Sequence, residues 1–265
     1  MKRSRGSSRP GIAAREDRRA TLERLRPWVE RARAFEGWDL SSVSPRRLGA
    51  GLPWDYERLV RESARGRHSV VDLGTGGGEF LSKVRDDLPA PVVATESWSV
   101  NAPIAARRLA SLGVRVVRCE SLRLPFRDSV FDLVIDRHEE FDPAEVDRVL
   151  APGGRFLTQQ VGRSDWQELR LHFPRMADFG DLRTRFEDAF RARGYRVQSR
   201  EKDSPVAYGS LGEVVFMLCV APWTIPDFDL ERDLDAMRSL ETACATKDGL
   251  VLTESRFLLV ANKHP

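Results

Sequence analysis

Residues 70 to 80 read VVDLGTGGGEF, an apolar run followed by an acid and then by glycines at alternate positions, Gly74, Gly76 and Gly78. Glycines lack side chains, so backbone amides can approach a ligand closely, and they take left-handed conformations at low steric cost. A turn of this kind after a strand suits a nucleotide-like ligand. A dinucleotide loop needs G-x-G-x-x-G, in which the third glycine lets the helix pack closely on the strand. Counted from Gly74 and Gly76, that third position is Glu79, which argues against a nicotinamide or flavin ligand. Further acids end later apolar runs. Glu96 can accept hydrogen bonds from both hydroxyls of a ribose, and Glu120-Ser121 suits an adenine edge. The stretch Asp136-Arg137-His138-Glu139 comes next and would lie beside the reactive end of the ligand. His138 is placed at a strand end where an imidazole can serve as general base, with Glu139 to orient it or to offset a positive charge.

These residues can act together only if one sheet brings the strand ends to one edge. From Ser69 onward, apolar strands alternate with helical stretches, the pattern of a parallel sheet covered by helices on both faces. SVVDLG, PVVATE, VRVVRCE and VFDLVID are the first four strands; the helix AEVDRVL and the turn APGG lead into a fifth, RFLTQQV. GYRVQSRE and SRFLLVANK form a last pair. The expected fold is therefore α/β, Rossmann-like and doubly wound, with a mostly parallel seven-stranded sheet. In such a sheet, ligands bind outside the carboxyl ends of the strands, where the strand order switches. Around this core the expected divisions are a disordered basic tail over 1–16, a helical N-terminal cap over 17–68 and a core over 69–202. An inserted cap follows over 203–254, with helices near 210–220 and 229–246, and then a final strand over 255–265. Leu22, Leu25, Trp28, Val29, Ala32 and Phe35 are spaced for one helix face, which Pro27 should bend or restart.

Composition narrows the class of protein. The 265 residues, 41% of them hydrophobic, can build a substantial core. No apolar run approaches the ~18 residues of a membrane span, and the basic start MKRSRGSSRPG lacks the apolar segment of a secretory signal, which points to the cytosol. Cys119, Cys219 and Cys244 are far apart and form no CxxC pair, so neither a disulfide framework nor a metal site is expected. Residues 1 to 19 hold Lys2, Arg3, Arg5, Arg9, Arg15, Arg18 and Arg19 against only Glu16 and Asp17, an excess larger than the whole chain's net charge of +3. The remainder is slightly acidic, without the basic stripe on the folded body that nucleic-acid tracking needs.

The ordered series Asp72, Gly74, Gly76, Gly78, Glu96, Glu120, LPFRDSVFDLVID and RVLAPGGRF, covering about Ser69 to Val161, strongly resembles class I S-adenosylmethionine (SAM) dependent methyltransferases. LPWDY, DRHEEFDPAEV, TQQVG and APWTIPDF further resemble a bacterial branch of that superfamily. The resemblance implies SAM as cofactor. It also implies that Gly74 to Gly78, with Thr75, line its methionine portion and that Asp72 lies near its ammonium group. Glu96 and Ser97 would then hold the ribose, Glu120 and Ser121 would bracket adenine with Trp98 on its face, and Asp136 and Arg137 would complete the cofactor site. Glu120 departs from the aspartate usual at the end of the third strand. Trp54, Tyr56 and Trp223 are expected to wall an acceptor pocket that Gln159 or Gln160 helps to bind. The expected acceptor is a small molecule with an oxygen or nitrogen nucleophile. RNA or protein acceptors, a SAM-binding protein without catalysis and a nicotinamide oxidoreductase are the alternatives.

Overall fold

The computed structural model describes residues 10–265, with side chains from Arg15 onward. Lys2, Arg3, Arg5 and Arg9 of the expected tail lie outside the described residues. Helix α1 runs Pro10–Arg33 and so takes in the stretch 10–16 assigned to the tail. Its later arginines meet acids on the segment 231–241: Arg18 pairs with Asp235, Arg24 with Glu241 and Arg26 with Glu231. Pro27 lies inside the helix without ending it.

A short strand β1 (Arg46–Arg47) interrupts the loop that follows. Helix α2 (Tyr56–Ala64) is capped by Asp55, whose carboxylate accepts the Arg58 amide. The expected alternation then unfolds as β2 (Val70–Leu73), α3 (Glu79–Val84), β3 (Val92–Thr95), α4 (Asn101–Ala110) and β4 (Val114–Val117). It continues as β5 (Phe131–Arg137), α5 (Pro143–Val149) and β6 (Leu150–Val161). Helix α6 (Leu182–Arg191) falls in a stretch with no expected element, although Asp181 caps it and Phe186 and Phe190 line its buried face. The chain ends with β7 (Arg196–Tyr208), α7 (Leu211–Val220), α8 (Leu234–Cys244), β8 (Ala245–Thr246) and β9 (Gly249–Asn262).

Among the described residues the sheet has nine strands in the order β1-β7-β9-β6-β5-β2-β3-β4, with β8 beside β9. Seven are the expected ones, and the two-residue strands β1 and β8 are additions. β2 runs parallel to β3 and β5, and the order reverses between β2 and β5, which makes their carboxyl ends the switch point. β9 is antiparallel to both β6 and β7. The β7–β9 ribbon pairs as far as Tyr208 with Leu250, so the insertion is shorter than 203–254 and spans 209–248. The charged run Arg200–Asp203 hides this extension, because that part of β7 is solvated.

Strand alternation divides the core between two faces. Val70, Leu133, Ile135, Leu157 and Leu258 face α2, α3 and α4. Val71, Leu73, Val134, Phe156 and Phe257 face α5 and α6. A third cluster joins Leu25 of α1, Trp166, Leu169 and Phe173, the ribbon tip (Val206, Tyr208, Leu252), α7 and α8. This third cluster is the cap. It draws on α1, the segment 166–176 and the insertion, whereas α2, expected in the N-terminal cap, packs on the sheet. Gly212 permits the close α1–α7 contact, since a Cβ there would meet the Trp28 indole at 2.0 Å. No helix among the described residues is long and apolar enough to cross a membrane.

Candidate functional site

A cavity of about 1030 Å³ opens at the carboxyl ends of the parallel strands, between the sheet and the cap. Its volume lies at the upper end of the ~300–1,000 Å³ usual for small-ligand sites. Its floor is the turn after β2. Gly74 and Gly76 have φ of 61° and 62°, a left-handed conformation that bulkier residues resist. Space is equally restrictive: a Cβ on Gly74 would lie 2.5 Å from the Glu139 side chain, and one on Gly76 would lie 2.8 Å from Trp38 Cβ. Thr75 is buried, and its Oγ1 has no hydrogen-bond partner among the described residues.

Glu96, at the end of β3, accepts the Gly76 amide at 2.7 Å and the Trp98 amide at 2.8 Å, so its carboxylate is fixed against the turn. Asp72 is buried beneath the cavity floor, and burial pushes its pKa up to about 7. Burial, together with the neighbouring Glu96 charge, likewise pushes Glu139 up to about 7. Burial also raises Glu96. Three carboxyl groups thus crowd one wall at a cost in solvation that a cationic ligand would offset.

The expected residues Asp72, Gly74, Thr75, Gly76, Glu96, Ser97, Trp98, Glu120, Ser121, Arg137, His138, Glu139 and Trp223 all line this cavity. Gly78 lies behind it as the residue capping α3, where a Cβ would press on Leu109 at 2.9 Å. Asp136 does not reach the wall. It is fully buried, accepting from Thr158 Oγ1 at 3.0 Å and Gln160 Nε2 at 2.7 Å, and burial holds its pKa well above the ordinary carboxyl range. Strand alternation sends its side chain into the interior while Arg137 and Glu139 open onto the cavity.

Trp54, Tyr56, Gln159 and Gln160 are also absent from the wall, contrary to expectation, because they brace it from behind. Tyr56 Oη donates to the Asp136 carbonyl at 2.6 Å and accepts the Asp136 amide at 3.2 Å, pinning the end of β5. Gln160 Nε2 also donates to the Glu139 carbonyl at 2.8 Å. Trp54 Nε1 donates to Gln159 Oε1 at 2.8 Å. Because an indole N–H is only a donor, this bond fixes the orientation of the Gln159 amide and points its Nε2 at His138 Nε2, 3.3 Å away. The imidazole must accept there, which places its own proton on Nδ1. Surrounding protein, then the Arg256 and Arg137 charges, push the His138 pKa well below the ordinary histidine range. The lone pair that a base at His138 would need is therefore already engaged by Gln159.

Several wall residues carry no signal in the sequence because they come from outside the strand series. Phe35, Trp38 and Arg33 arrive from the end of α1 and the loop after it, and Cys219 and Pro222 from the end of α7. Trp38 stacks on Trp223 with ring centroids 6.3 Å apart and meets Phe35 edge-on. Its backbone amide donates to Glu79 Oε1 at 3.3 Å, and the preceding Gly37 amide donates to Asn101 Oδ1 at 2.9 Å. Asn101 Nδ2 returns a bond to the Gly37 carbonyl at 3.4 Å. Glu79, the residue in place of a third glycine, thus ties the strap 34–40 down over the turn and also pairs with Arg108 at 2.5 Å.

Comparison with known proteins agrees with this geometry. Residues 71–158 match the model of a family described as a methyltransferase domain. The demethylmenaquinone methyltransferase of Thermus thermophilus is 30% identical over 120 residues, covering 42% of this chain and 54% of that protein. The chain spans about half the length of the curated relatives it matches. Among solved structures, the YcgJ protein of Bacillus subtilis superposes with a TM-score of 0.58 at 19% identity, covering 79% of this chain and 98% of that one. The [4+2]-cyclase SpnF superposes with a TM-score of 0.55 at 16% identity, covering 92% and 94% respectively. These structural likenesses show the fold. Family match, fold and glycine turn agree in making the segment 71–158 similar to a methyltransferase domain on a Rossmann-like sheet.

Proposed function

We propose that this chain binds SAM at the carboxyl ends of β2 to β5 and transfers its methyl group to a small-molecule acceptor held under the cap. The observation that carries this reading is the acid-walled cavity over the left-handed Gly74–Gly76 turn, at the point where the strand order reverses. Its residues fit a ligand with a cationic sulfonium and ammonium: Asp72, Glu96 and Glu139 supply opposing charge, and Thr75 Oγ1 awaits a partner. In this reading Gly74, Thr75 and Gly76 line the methionine portion, with Asp72 near its ammonium group. Glu96 and Ser97 hold the ribose, while Trp98, Glu120 and Ser121 surround adenine. Arg137 and Glu139 stand at the reactive end. When bound, SAM supplies an electrophilic methyl group.

The protein's own work is positioning and water exclusion. Trp38, Phe35 and Trp223 close the cavity from the cap side. Glu139 is the group suited to take a proton from an acceptor oxygen or nitrogen, since its pKa of about 7 lies near the working range of a general base. His138 orients the acceptor by donating from Nδ1. This assignment reverses the order expected for the pair. A second reading, transfer to a ring carbon, is favoured by the aromatic wall and by the names of the relatives, which describe methylation of demethylmenaquinone and C-methylation in quinone biosynthesis.

Calorimetric titration with SAM, its demethylated product and NAD tests the binding reading, with Gly76→Arg as control. Micromolar binding of the first two, lost in the variant and absent for NAD, is the expected outcome; NAD binding alone would overturn it. With an acceptor in hand, Glu139→Gln should lower kcat by ~10²–10⁴-fold. An unchanged kcat would remove Glu139 from the proton step.

A further inference from the structure

The acids on the cavity wall are confined to one side. Every acid on it, including Asp72, Glu96 and Glu139, belongs to the sheet side, where the proposed donor presents its cationic groups. On the cap side Phe35, Trp38, Cys219, Pro222 and Trp223 are uncharged, and Arg33 is the single charged side chain. Arg18, Arg24 and Arg26 pair with Asp235, Glu241 and Glu231, whereas Arg33 has no carboxylate partner among the described residues. Arg33 ends α1 and lines the cavity with Cys219 near the end of α7, beside the aromatic surface. Two further guanidiniums line the sheet side, Arg118 just after β4 and Arg137 at the end of β5, the latter over the Phe80 ring at 4.7 Å, and neither has an ion pair among the described residues.

A positive group placed opposite the donor would repel a cationic acceptor, and a neutral one would leave it without a partner. An anion there gains a charge-assisted, forked hydrogen bond. Resting on the donor reading above, we propose that the acceptor is an anionic, flat, largely apolar small molecule. Its carboxylate or phosphate is held by Arg33, and its ring lies against the Trp38–Trp223 wall. The acidic sheet side turns that anion away from the donor half, so the same charge pattern orients the acceptor as well as selecting it.

The test is calorimetric titration of the full-length protein, saturated with the demethylated product, using 2-naphthoate, 2-naphthyl phosphate and 2-naphthamide. At least one anion should bind about tenfold tighter than the amide, the effect of one charge-assisted hydrogen bond. Which anion prevails distinguishes a carboxylate site from a phosphate site. Arg33→Gln should abolish the preference and Arg33→Lys should keep part of it, with unchanged melting temperatures to show an intact fold. Equal binding of anion and amide, no binding of any probe, or a preference that survives in Arg33→Gln overturns the proposal. So does a loss of product affinity in Arg33→Gln as large as the loss of anion affinity, because Arg33 would then belong to the donor. Failure of the wild-type protein to bind SAM or its product is a separate result that removes the donor reading itself.

Discussion

At the scale of single residues, the site is governed by carboxyl groups held where water cannot solvate them well. Asp72 and Glu139 both have pKa values raised to about 7. A raised carboxyl pKa means that the folded chain favours the protonated form. The resulting stabilisation is full below the unfolded value near ~4 and is lost as pH rises through about 7. A cationic ligand acts in the opposite sense by stabilising the ionised forms. SAM should therefore bind more tightly as pH rises from 6 to 8 and should release protons on binding. Calorimetry at pH 6.5 in buffers of different ionisation enthalpy measures this; proton uptake, or an affinity independent of pH, would contradict the assignment. His138 shows how a neighbour can decide a residue's chemistry. Its position at a strand end suggests a base, yet the Trp54–Gln159 relay occupies the lone pair a base requires.

At the scale of elements, the strap 34–40 covers the glycine turn through a small number of bonds. Asn101 grips Gly37 at both its amide and its carbonyl, and Glu79 accepts the Trp38 amide. Asn101 is buried, so its removal leaves the Gly37 amide without a partner, a loss of about 1–3 kcal/mol. Asn101→Ala should therefore loosen the strap more than the sheet. The expected result is faster amide hydrogen exchange across 34–40 and faster dissociation of SAM, with β2 and β5 still protected. If exchange at the strap matched the wild type, the latch would have no energetic role. Glu79 takes on a positive meaning here: it occupies the third-glycine position and forms the second half of the latch.

At the scale of the whole molecule, the cap is one hydrophobic unit assembled from three separate stretches of chain. Leu25 of α1 lies fully buried at its centre with Phe173, Val214 and Leu240. Leu25→Ala should destabilise the protein by about 2–5 kcal/mol, through lost burial and the cavity left behind. Because the cap has its own cluster, its elements should lose protection before the sheet does. Chemical denaturation followed by hydrogen exchange reads both the size and the order of the effect. Equal loss in the cap and at β5 would mean that the two clusters unfold as one cooperative unit. SpnF shares the fold and bears the name of a cyclase. Chemistry on such a scaffold therefore rests with what the cap and the strand ends bring together.

The sheet side of the cavity was legible in the sequence because its residues follow a local rule. The glycines of 74–78, Glu96, Glu120 and the run 136–139 each end a strand, and a parallel sheet carries such ends to one edge regardless of distant packing. Strand alternation was readable too, as in Val70 and Val71, which face opposite layers. The cap side obeys no local rule. Arg33, Trp38 and Cys219 reach the cavity only because α1 lies along α7, a contact between residues far apart in the chain that depends on Gly212 accommodating Trp28. Burial likewise separated Trp54 and Tyr56, which sit behind the wall, from Trp223, which remains on it. All three are aromatic residues beside turns, so their types do not distinguish them. Tertiary packing decides which of them faces the cavity.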